Sequence, residues 1–231
     1  YNLKNLFGFW YDWNNHEIEF LPKNEKKWTP KRYKYKLRKL GFAISNIGKK
    51  ETGKHPAIVG LAEVENAKAI EDLIASKHLE AINYGYVHYD SLDERGIDVA
   101  LLYDSDAFEV EHSESFRVHL TRDDGETDYT RDILLVSGLL DGEQIHVIAN
   151  HWSSRREGAK ETEHKRFAAA DKVIEIINDL NIKYSNPKIV VIGDFNDDPA
   201  STSIKRMVDS LGLFNPMEVL HTYSRGTTTY N

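Results

Sequence analysis

A short apolar stretch of the chain runs directly into a polar cluster and reads Ile189-Val190-Val191-Ile192-Gly193-Asp194-Phe195-Asn196. Its first five residues carry no charge and are mostly branched aliphatics, which is typical of a strand buried on both faces. The acid and the amide that follow are two positions apart, so an extended backbone would point Asp194 and Asn196 to the same side. Such a pair could orient a water molecule against a phosphorus atom. An Asx-rich turn would explain the same residues, so this stretch alone leaves both interpretations open.

Two other apolar strands of the sequence end in the same way. Residues 58–62 run into Glu63, and residues 145–149 run into Asn150 and His151. In layered α/β folds ligands gather at strand ends, where a rigid backbone aims side chains into a cleft. The three ends together therefore predict one site that contains Glu63, His151, Asp194 and Asn196.

The hydrophobic periodicity of the remaining chain predicts the elements between these strands. Apolar residues at helical spacing predict helices over 30–48, 67–79, 161–181 and 201–211. Apolar or alternating runs bounded by turn residues predict strands over 2–7, 57–64, 84–89, 96–103, 108–119, 132–140, 144–150 and 189–193. Hairpins mixed with strand–helix crossovers favour two packed sheets with helices outside over a doubly wound parallel sheet.

The composition narrows the chemistry that the chain can perform. It has 231 residues, of which 40% are hydrophobic and 29% charged, as expected for one globular domain. It has no cysteine, so disulfides, thiolate catalysis and cysteine-ligated zinc are excluded, and a metal would need oxygen or imidazole ligands. No apolar run approaches the roughly 18 residues of a membrane span. The compartment stays open between the cytoplasm and export.

Four segments of the sequence occur in the order of the signature segments of the endonuclease/exonuclease/phosphatase superfamily, and the chain resembles its bacterial members. They are Tyr1-Asn2-Leu3-Lys4-Asn5-Leu6-Phe7, Leu61-Ala62-Glu63, Asn150-His151-Trp152 and Gly193-Asp194-Phe195-Asn196, and the strand from Arg95 to Tyr103 also fits. The resemblance implies a four-layer α/β sandwich of two mixed β-sheets flanked by helices, the DNase I-like fold. It also implies that residues 1–231 are a single domain truncated at both ends, which lacks the C-terminal closing segment with its Asp and His.

The resemblance implies a role for each residue at the strand ends. Glu63 resembles the carboxylate that binds Mg²⁺ directly, with Mn²⁺ as a possible substitute. Asn2 resembles the catalytic amide beside it that helps to place the metal or the phosphate. Asp194 resembles the residue that activates the attacking water, and Asn196 helps to hold the phosphate. His151 resembles the imidazole that donates to a phosphate oxygen or assists the leaving group.

Basic side chains are expected to complete such a site, because a planar guanidinium matches the oxygens of a phosphate. Arg155 and Arg131 are the preferred candidates over Arg95. Lys4 stands where many members of the superfamily carry an acid, which disfavours a second metal and allows a phosphate contact instead.

The sequence leaves the substrate open. The chain carries a net charge of −7, which does not favour tight non-specific duplex binding, but residues 1–50 carry 12 Lys/Arg against 4 Asp/Glu. The basic segment 31–39 could bind nucleic acid or could be the solvated face of a helix. Three hypotheses follow: a nuclease that cuts phosphodiesters, a phosphatase or phosphodiesterase for small-molecule or lipid phosphates, and a non-catalytic phosphate-binding module. The oligomeric state is undetermined.

Overall fold

A computed structural model describes residues 1–6, 29–122 and 124–220, and all structural statements refer to these ranges. The predicted loop over 8–28 and the C-terminal residues from 221 onward lie outside them. The helices are α1 Pro30–Asn46, α2 Lys49–Thr52, α3 Ala67–Ile74, α4 Glu163–Lys183, α5 Thr202–Leu211 and α6 Pro216–Leu220. The strands are β1 Asn2–Leu6, β2 Ile58–Val64, β3 Tyr84–His88, β4 Asp98–Asp104, β5 Phe108–Phe116, β6 Leu120–Thr121, β7 Thr127–Asp128, β8 Ile133–Leu140, β9 Glu143–His151 and β10 Ile189–Asp194.

Eight of these strands form two four-stranded mixed sheets. The first has the order β1-β2-β4-β3, with β1 and β2 parallel and the other pairs antiparallel. The second has the order β10-β9-β8-β5, and again only its first pair, β10 and β9, is parallel. Each sheet therefore brings the carboxyl ends of two parallel strands to one edge. These are the ends that carry the polar clusters.

Three apolar layers hold the sheets and helices together. One fills the space between the first sheet and helices α1 and α3, and another lies between the second sheet and helices α4 and α5. The third lies between the two sheets and includes Val99, Leu101, Val136 and Val147. The architecture is thus a sandwich of helices, sheet, sheet and helices, which confirms the predicted fold class.

Most predicted elements are present within a few residues of their expected bounds, but two helices end earlier than expected. Helix α3 stops at Ile74 rather than Leu79, and Leu79 is fully buried. In a continued helix Leu79 would lie on the face opposite Ile70, so ending the helix allows both side chains to enter the core. Helix α1 begins as predicted, with Thr29 accepting a hydrogen bond from the Arg32 amide, but it ends at Asn46 and leaves Ile47 exposed. Across the described ranges, no helix combines the length and the apolar character that crossing a bilayer requires.

Candidate active site

One amide joins the two sheets at the edge where the parallel strands end. The side chain of Asn2, on β1, places its Nδ2 atom 2.9 Å from Oε1 of Glu63, on β2. The same Nδ2 lies 2.7 Å from Oδ2 of Asp194, at the end of β10 in the other sheet. The structure therefore brings together three of the residues that the sequence predicts for the site. Two carboxylates are held within hydrogen-bonding reach of a single nitrogen.

The backbone after Asn2 fixes the direction of this amide. The Lys4 N–H donates to Oδ1 of Asn2 at 2.7 Å, so the amide nitrogen must face the carboxylates. Lys4 and Asn5 both adopt left-handed backbone conformations, with φ of 51° and 60°. The Lys36 ammonium of α1 donates to the carbonyl oxygens of both residues, at 2.6 and 2.7 Å. Burial lowers the pKa of Lys36 to about 8, partly offset by the negative charge of Glu63.

Left-handed backbone is concentrated at this edge of the structure. Among the described residues, six other than glycine have a positive φ, and four of them are Lys4, Asn5, Glu63 and Asn196. Such a conformation costs a non-glycine residue about 1–3 kcal/mol and persists where the surroundings impose it. The pairing of β1 with β2 and of β2 with β4 is also irregular around Glu63. The strand ends are therefore bent away from ideal geometry where the predicted functional side chains lie.

The second sheet contributes Asp194 and Asn196 through a turn. β10 ends at Asp194, and Asn196 has a φ of 50°, so the predicted extended alternation is wrong at this position. The Asn196 N–H donates to Oδ1 of Asp194 at 3.0 Å, which is the Asx turn that the sequence left open. Gly193, directly before Asp194, has a φ of 151°, and a Cβ added to it would come within 2.1 Å of the Asn150 carbonyl oxygen. This close approach explains why a glycine stands directly before the acid.

His151 lies beside Asp194 in the parallel register of β9 and β10 and is only 4% exposed. Its Nδ1 atom is buried and has no hydrogen-bond partner in the described part of the chain. Burial holds the pKa of His151 well below its usual value, and the positive charges of Arg131 and Arg95 lower it further. The imidazole is therefore neutral near pH 7 and carries one donor and one acceptor nitrogen.

Arg131 holds the backbone next to His151. Its Nε donates to the His151 carbonyl oxygen at 3.3 Å and its Nη2 to the Trp152 carbonyl oxygen at 2.7 Å. Its Nη1 lies 2.9 Å from Oδ1 of Asp93, and both side chains are buried. The Trp152 carbonyl oxygen also accepts from Nδ2 of Asn196 at 2.9 Å. Arg131 thus lies beneath the predicted site and supports it through the backbone.

The other predicted phosphate-binding residues lie at the rim. Lys4 is exposed in the middle of β1. Arg155 is 39% exposed, with its Nη1 3.3 Å from a carboxylate oxygen of Asp198 and 3.5 Å from one of Asp197. Arg95, the less favoured candidate, donates to Oδ1 of Asn5 at 2.9 Å and lies close enough to His151 to lower its pKa. Their phosphate-binding roles remain predictions.

Sequence reasoning missed the residues that support the turn after Asp194. Asp197 accepts hydrogen bonds from Ser201 at 2.6 Å, from Ser203 at 2.7 Å and from Nε of Arg166 at 3.0 Å. Arg166, on α4, is 2% exposed and also donates to Thr162 and to the Ala159 carbonyl oxygen. These hydrogen bonds together with Arg166 lower the pKa of Asp197, against the opposing effect of its burial. A cluster of Ser and Asp after a strand could have suggested the turn, but nothing local indicates the arginine.

A second group of possible metal ligands lies at the same edge of the first sheet. Atoms of His88, Asp90 and Asp98 lie within 4.8 Å of one another. Asp98 is engaged by His88 at 3.1 Å and by the backbone and hydroxyl of Ser91 at 3.0 and 2.6 Å. The predicted ligands Glu63 and Asn2 are not part of this group. It is an internally hydrogen-bonded cluster rather than an open carboxylate.

The layered architecture and the convergence of strand ends are those of the DNase I-like fold, which is shared by a class of phosphoester hydrolases that typically depend on a divalent metal. The chain belongs to the endonuclease/exonuclease/phosphatase family, whose sequence profile matches residues 1–231.

Solved structures of other family members share the fold at low sequence identity. The human nocturnin catalytic domain with bound sulfate is 17% identical over 76% of this chain and 63% of that chain, with a TM-score of 0.56. An endonuclease/exonuclease/phosphatase from Bacteroides vulgatus is 21% identical over 76% and 63%, with a TM-score of 0.54. A mannosyl-6-phosphatase from Bacteroides thetaiotaomicron is 16% identical over 75% and 62%, with a TM-score of 0.53. The chain thus spans less than two thirds of each of these relatives. No curated protein matches the sequence.

Proposed function

We propose that this protein hydrolyses phosphodiester bonds of nucleic acid, using Mg²⁺, or Mn²⁺ in its place, bound at Glu63. The observation that carries the proposal is the Asn2 amide, which bridges Glu63 at 2.9 Å and Asp194 at 2.7 Å across the two sheets. One carboxylate can then bind the metal while the other orients a water molecule through a hydrogen bond. The substrate phosphate would lie between them.

The residues present suit a hard divalent cation. Glu63 and Asp194 offer carboxylate oxygens, and within the described ranges Oε2 of Glu63 accepts no hydrogen bond. Mg²⁺ commonly takes one or two protein carboxylates and completes its shell with water and substrate phosphate. When bound, it would supply Lewis-acid polarisation of a phosphoryl oxygen and stabilise the leaving oxygen.

Asp194 is placed to orient and activate the attacking water. Its two oxygens accept hydrogen bonds from different donors, Oδ1 from the backbone N–H of Asn196 and Oδ2 from the Asn2 side chain. The plane of the carboxylate is therefore set before substrate binds, which suits a group that orients a water molecule. Preset geometry of this kind supplies much of the catalysis in phosphoryl transfer.

His151 is proposed to contact a phosphate oxygen or the leaving group as a neutral imidazole. Burial disfavours its charged form, and Arg131 holds its backbone carbonyl. A neutral ring can donate one hydrogen bond at neutral pH without adding a buried charge. Loss of such a group costs typically about 10²–10⁴-fold in rate.

Hydrolysis of a small phosphorylated molecule is the second candidate function. It is favoured by the fold that the chain shares with a relative named as a mannosyl-6-phosphatase and by the net charge of −7. The same site residues would serve either substrate, so substrate panels rather than site variants separate the two.

The test uses purified protein with Mg²⁺ on single-stranded DNA, single-stranded RNA, plasmid DNA and a panel of sugar and lipid phosphates. Wild type is compared with Glu63→Gln and with Glu143→Gln, which alters an exposed glutamate at the opposite end of β9. We expect nucleic-acid cleavage by wild type and by Glu143→Gln, and a loss of at least about 10²-fold in Glu63→Gln. Calorimetric titration with Mn²⁺ should show binding that Glu63→Gln weakens.

Three results would overturn parts of the proposal. Turnover of sugar phosphates with intact nucleic acids would establish the second candidate function instead. Cleavage that is unchanged in Glu63→Gln would remove the metal site from Glu63. Ligand binding with no turnover of any substrate would make the chain a phosphate-binding module.

A further inference from the structure

The segment from residue 31 to residue 54 is strongly basic. It holds nine Lys or Arg residues and one Glu, a net charge of +8 in a chain whose total is −7. Five of these cations are exposed on α1, and they are Lys31, Arg32, Lys34, Arg38 and Lys39. Since exposed charges are screened within about 8 Å at physiological salt, a polyanion near α1 would respond to this local charge rather than to the total.

Two aromatic rings stand out of the same helix face. Tyr35 is 50% exposed and Phe42 is 57% exposed, whereas Tyr33 on the inner face is buried. The Arg38 guanidinium carbon lies 5.4 Å from the centre of the Tyr35 ring and the Lys39 ammonium lies 4.8 Å from it. A hydrogen bond with Lys39 and its positive charge also lower the pKa of the Tyr35 hydroxyl. Two cations therefore lie over an aromatic ring that is half exposed to water.

A cleft continues this surface between α1 and the turn after α3. Gly41 allows α1 to lie close to the turn after α3, since an added Cβ would come within 2.5 Å of the Ser76 hydroxyl oxygen. Phe42 and His78 meet edge to face with ring centres 5.4 Å apart. The open cleft has a volume of about 340 Å³ and is lined by Arg38, Lys39, Phe42, Lys77 and His78.

Within the described ranges, the cations of this cleft have no carboxylate partner. In the part of the chain that the structure describes, no carboxylate forms an ion pair with Arg38, Lys39 or Lys77. Other exposed cations do have such partners, as Arg206 has in Asp171. A ligand that brings its own negative charges would complete this surface.

The surface lies on α1, and the second turn of this helix contacts β1 beside the proposed active site. Lys36 reaches the carbonyl oxygens of Lys4 and Asn5 next to Asn2. Phe42 is six residues further on, which is about 9 Å along a helix axis. A chain-like ligand could therefore extend from the site along α1, whereas a small phosphate would not reach both.

We propose that Tyr35, Arg38, Lys39, Phe42, Lys77 and His78, together the α1 surface, bind single-stranded nucleic acid and hold it beside the active site. The inference deepens the proposed function and rests on it for the direction of the strand. Unpaired bases would stack on the two exposed rings, and the cations would neutralise the phosphates between them. A duplex hides its base faces and could use only the charges.

The first experiment measures binding separately from hydrolysis. Fluorescent 12-nucleotide DNA and RNA strands are titrated with protein in EDTA, and anisotropy is recorded over a range of salt concentrations. We expect Tyr35→Ala to weaken binding at least fivefold, since base stacking on an aromatic ring is typically worth that much or more. Lys39→Glu should weaken binding and make the salt dependence shallower by about 0.7 in the log–log slope for the lost contact.

Lys183→Glu is the matched control, because Lys183 also lies over a tyrosine ring, at 5.3 Å from the centre of Tyr184, but at the end of α4. It should bind like wild type. Equal binding by Lys39→Glu, Tyr35→Ala and the control would refute the α1 surface, as would equal loss in both lysine variants. Binding to phosphatidylserine vesicles that competes with the oligonucleotide and depends on Tyr35 would instead make the surface a membrane contact.

A second measurement separates this proposal from the proposed function. For wild type and Lys39→Glu, KM and kcat are compared on an oligonucleotide and on bis(p-nitrophenyl) phosphate. We expect KM for the oligonucleotide to rise at least fivefold in Lys39→Glu, with both constants unchanged on the small ester. If no substrate is hydrolysed, the proposed function fails while the EDTA titration still decides the α1 surface. Equal changes on both substrates would refute a strand-binding role.

Discussion

The two halves of the candidate site differ in the side chains that support them. In the first sheet, Asn2 and Glu63 are partly buried, and left-handed backbone at Lys4, Asn5 and Glu63 directs them. In the second sheet, His151 and Asn196 are buried and are supported by side chains that form ion pairs beneath them. Left-handed backbone occurs in both halves, since Asn196 has it too, but the second half adds buried ion pairs that support it from beneath.

The ion pairs of the second half are buried, and their arginines also hydrogen-bond to groups near the site. Arg131 and Asp93 are 7% and 2% exposed, and Arg166 and Asp197 are 2% and 9% exposed. Each arginine also donates to backbone carbonyls or hydroxyls near the site. Because an unpaired buried charge is costly, these pairs define one arrangement of the loops above them.

The largest expected effect comes from breaking one of these pairs. Asp93→Ala leaves the Arg131 guanidinium buried without its carboxylate, and we expect the free energy of unfolding to fall by about 3–5 kcal/mol. Urea denaturation followed by tryptophan fluorescence measures the change.

Asp171→Ala is the control, because it breaks an ion pair at the surface. The side chain of Arg206 is 51% exposed and that of Asp171 is 48% exposed. An exposed pair contributes about 0–1 kcal/mol. If Asp93→Ala cost no more than Asp171→Ala, the contrast between the halves would be lost.

The sequence predicts the layers and the three strand ends because both depend on local patterns. Apolar strands and helical spacing follow directly from burial, and the polar residues at strand ends can be identified without knowing their neighbours. The chemistry of Glu63, His151 and Asp194 could therefore be expected before their geometry was known. Their convergence at one edge is consistent with that expectation, and their roles stay proposals.

The supporting residues could not be predicted because their partners are distant in the chain. Asp93 and Arg131 are 38 residues apart, and Lys36 and Asn5 are 31 apart. The left-handed conformation of Glu63 also lacks the glycine or asparagine that would indicate it locally. For this reason the sequence suggested phosphate contact for Arg131, whereas the structure directs its guanidinium to Asp93 and two carbonyl oxygens.

The buried histidines of the second sheet should make the stability of the protein depend on pH. Burial lowers the pKa of His151 and of His146, which lies five residues earlier in β9. The unfolded chain therefore binds more protons than the folded chain below about pH 6.5, so stability should fall as the pH drops from 7 to 5. Each histidine can contribute a slope of at most about 1.4 kcal/mol per pH unit.

Denaturation at several pH values measures this slope for wild type, His151→Gln and His146→Gln. Each variant should have a shallower slope than wild type. His112→Gln is the control, since His112 is 51% exposed and water reaches its ring in both states. A slope that stays unchanged in His151→Gln would show that the ring is not held neutral by burial.

The smallest expected effect lies in the backbone of the first half. Lys4 has a φ of 51° and an exposed side chain, and asparagine tolerates the left-handed region better than lysine does. Lys4→Asn keeps the N–H that donates to Asn2, so we expect it to raise the free energy of unfolding by about 0.5–1 kcal/mol. Lys34→Asn, an exposed position inside helix α1, should instead destabilise the protein slightly, because asparagine is the poorer helix former.

Lys4→Asn also separates two roles of Lys4. If the lysine contacts phosphate, the variant should show a raised KM despite the gain in stability. An unchanged KM would leave Lys4 as a backbone position only, and a loss of stability would show that its side chain, rather than its conformation, supports Asn2.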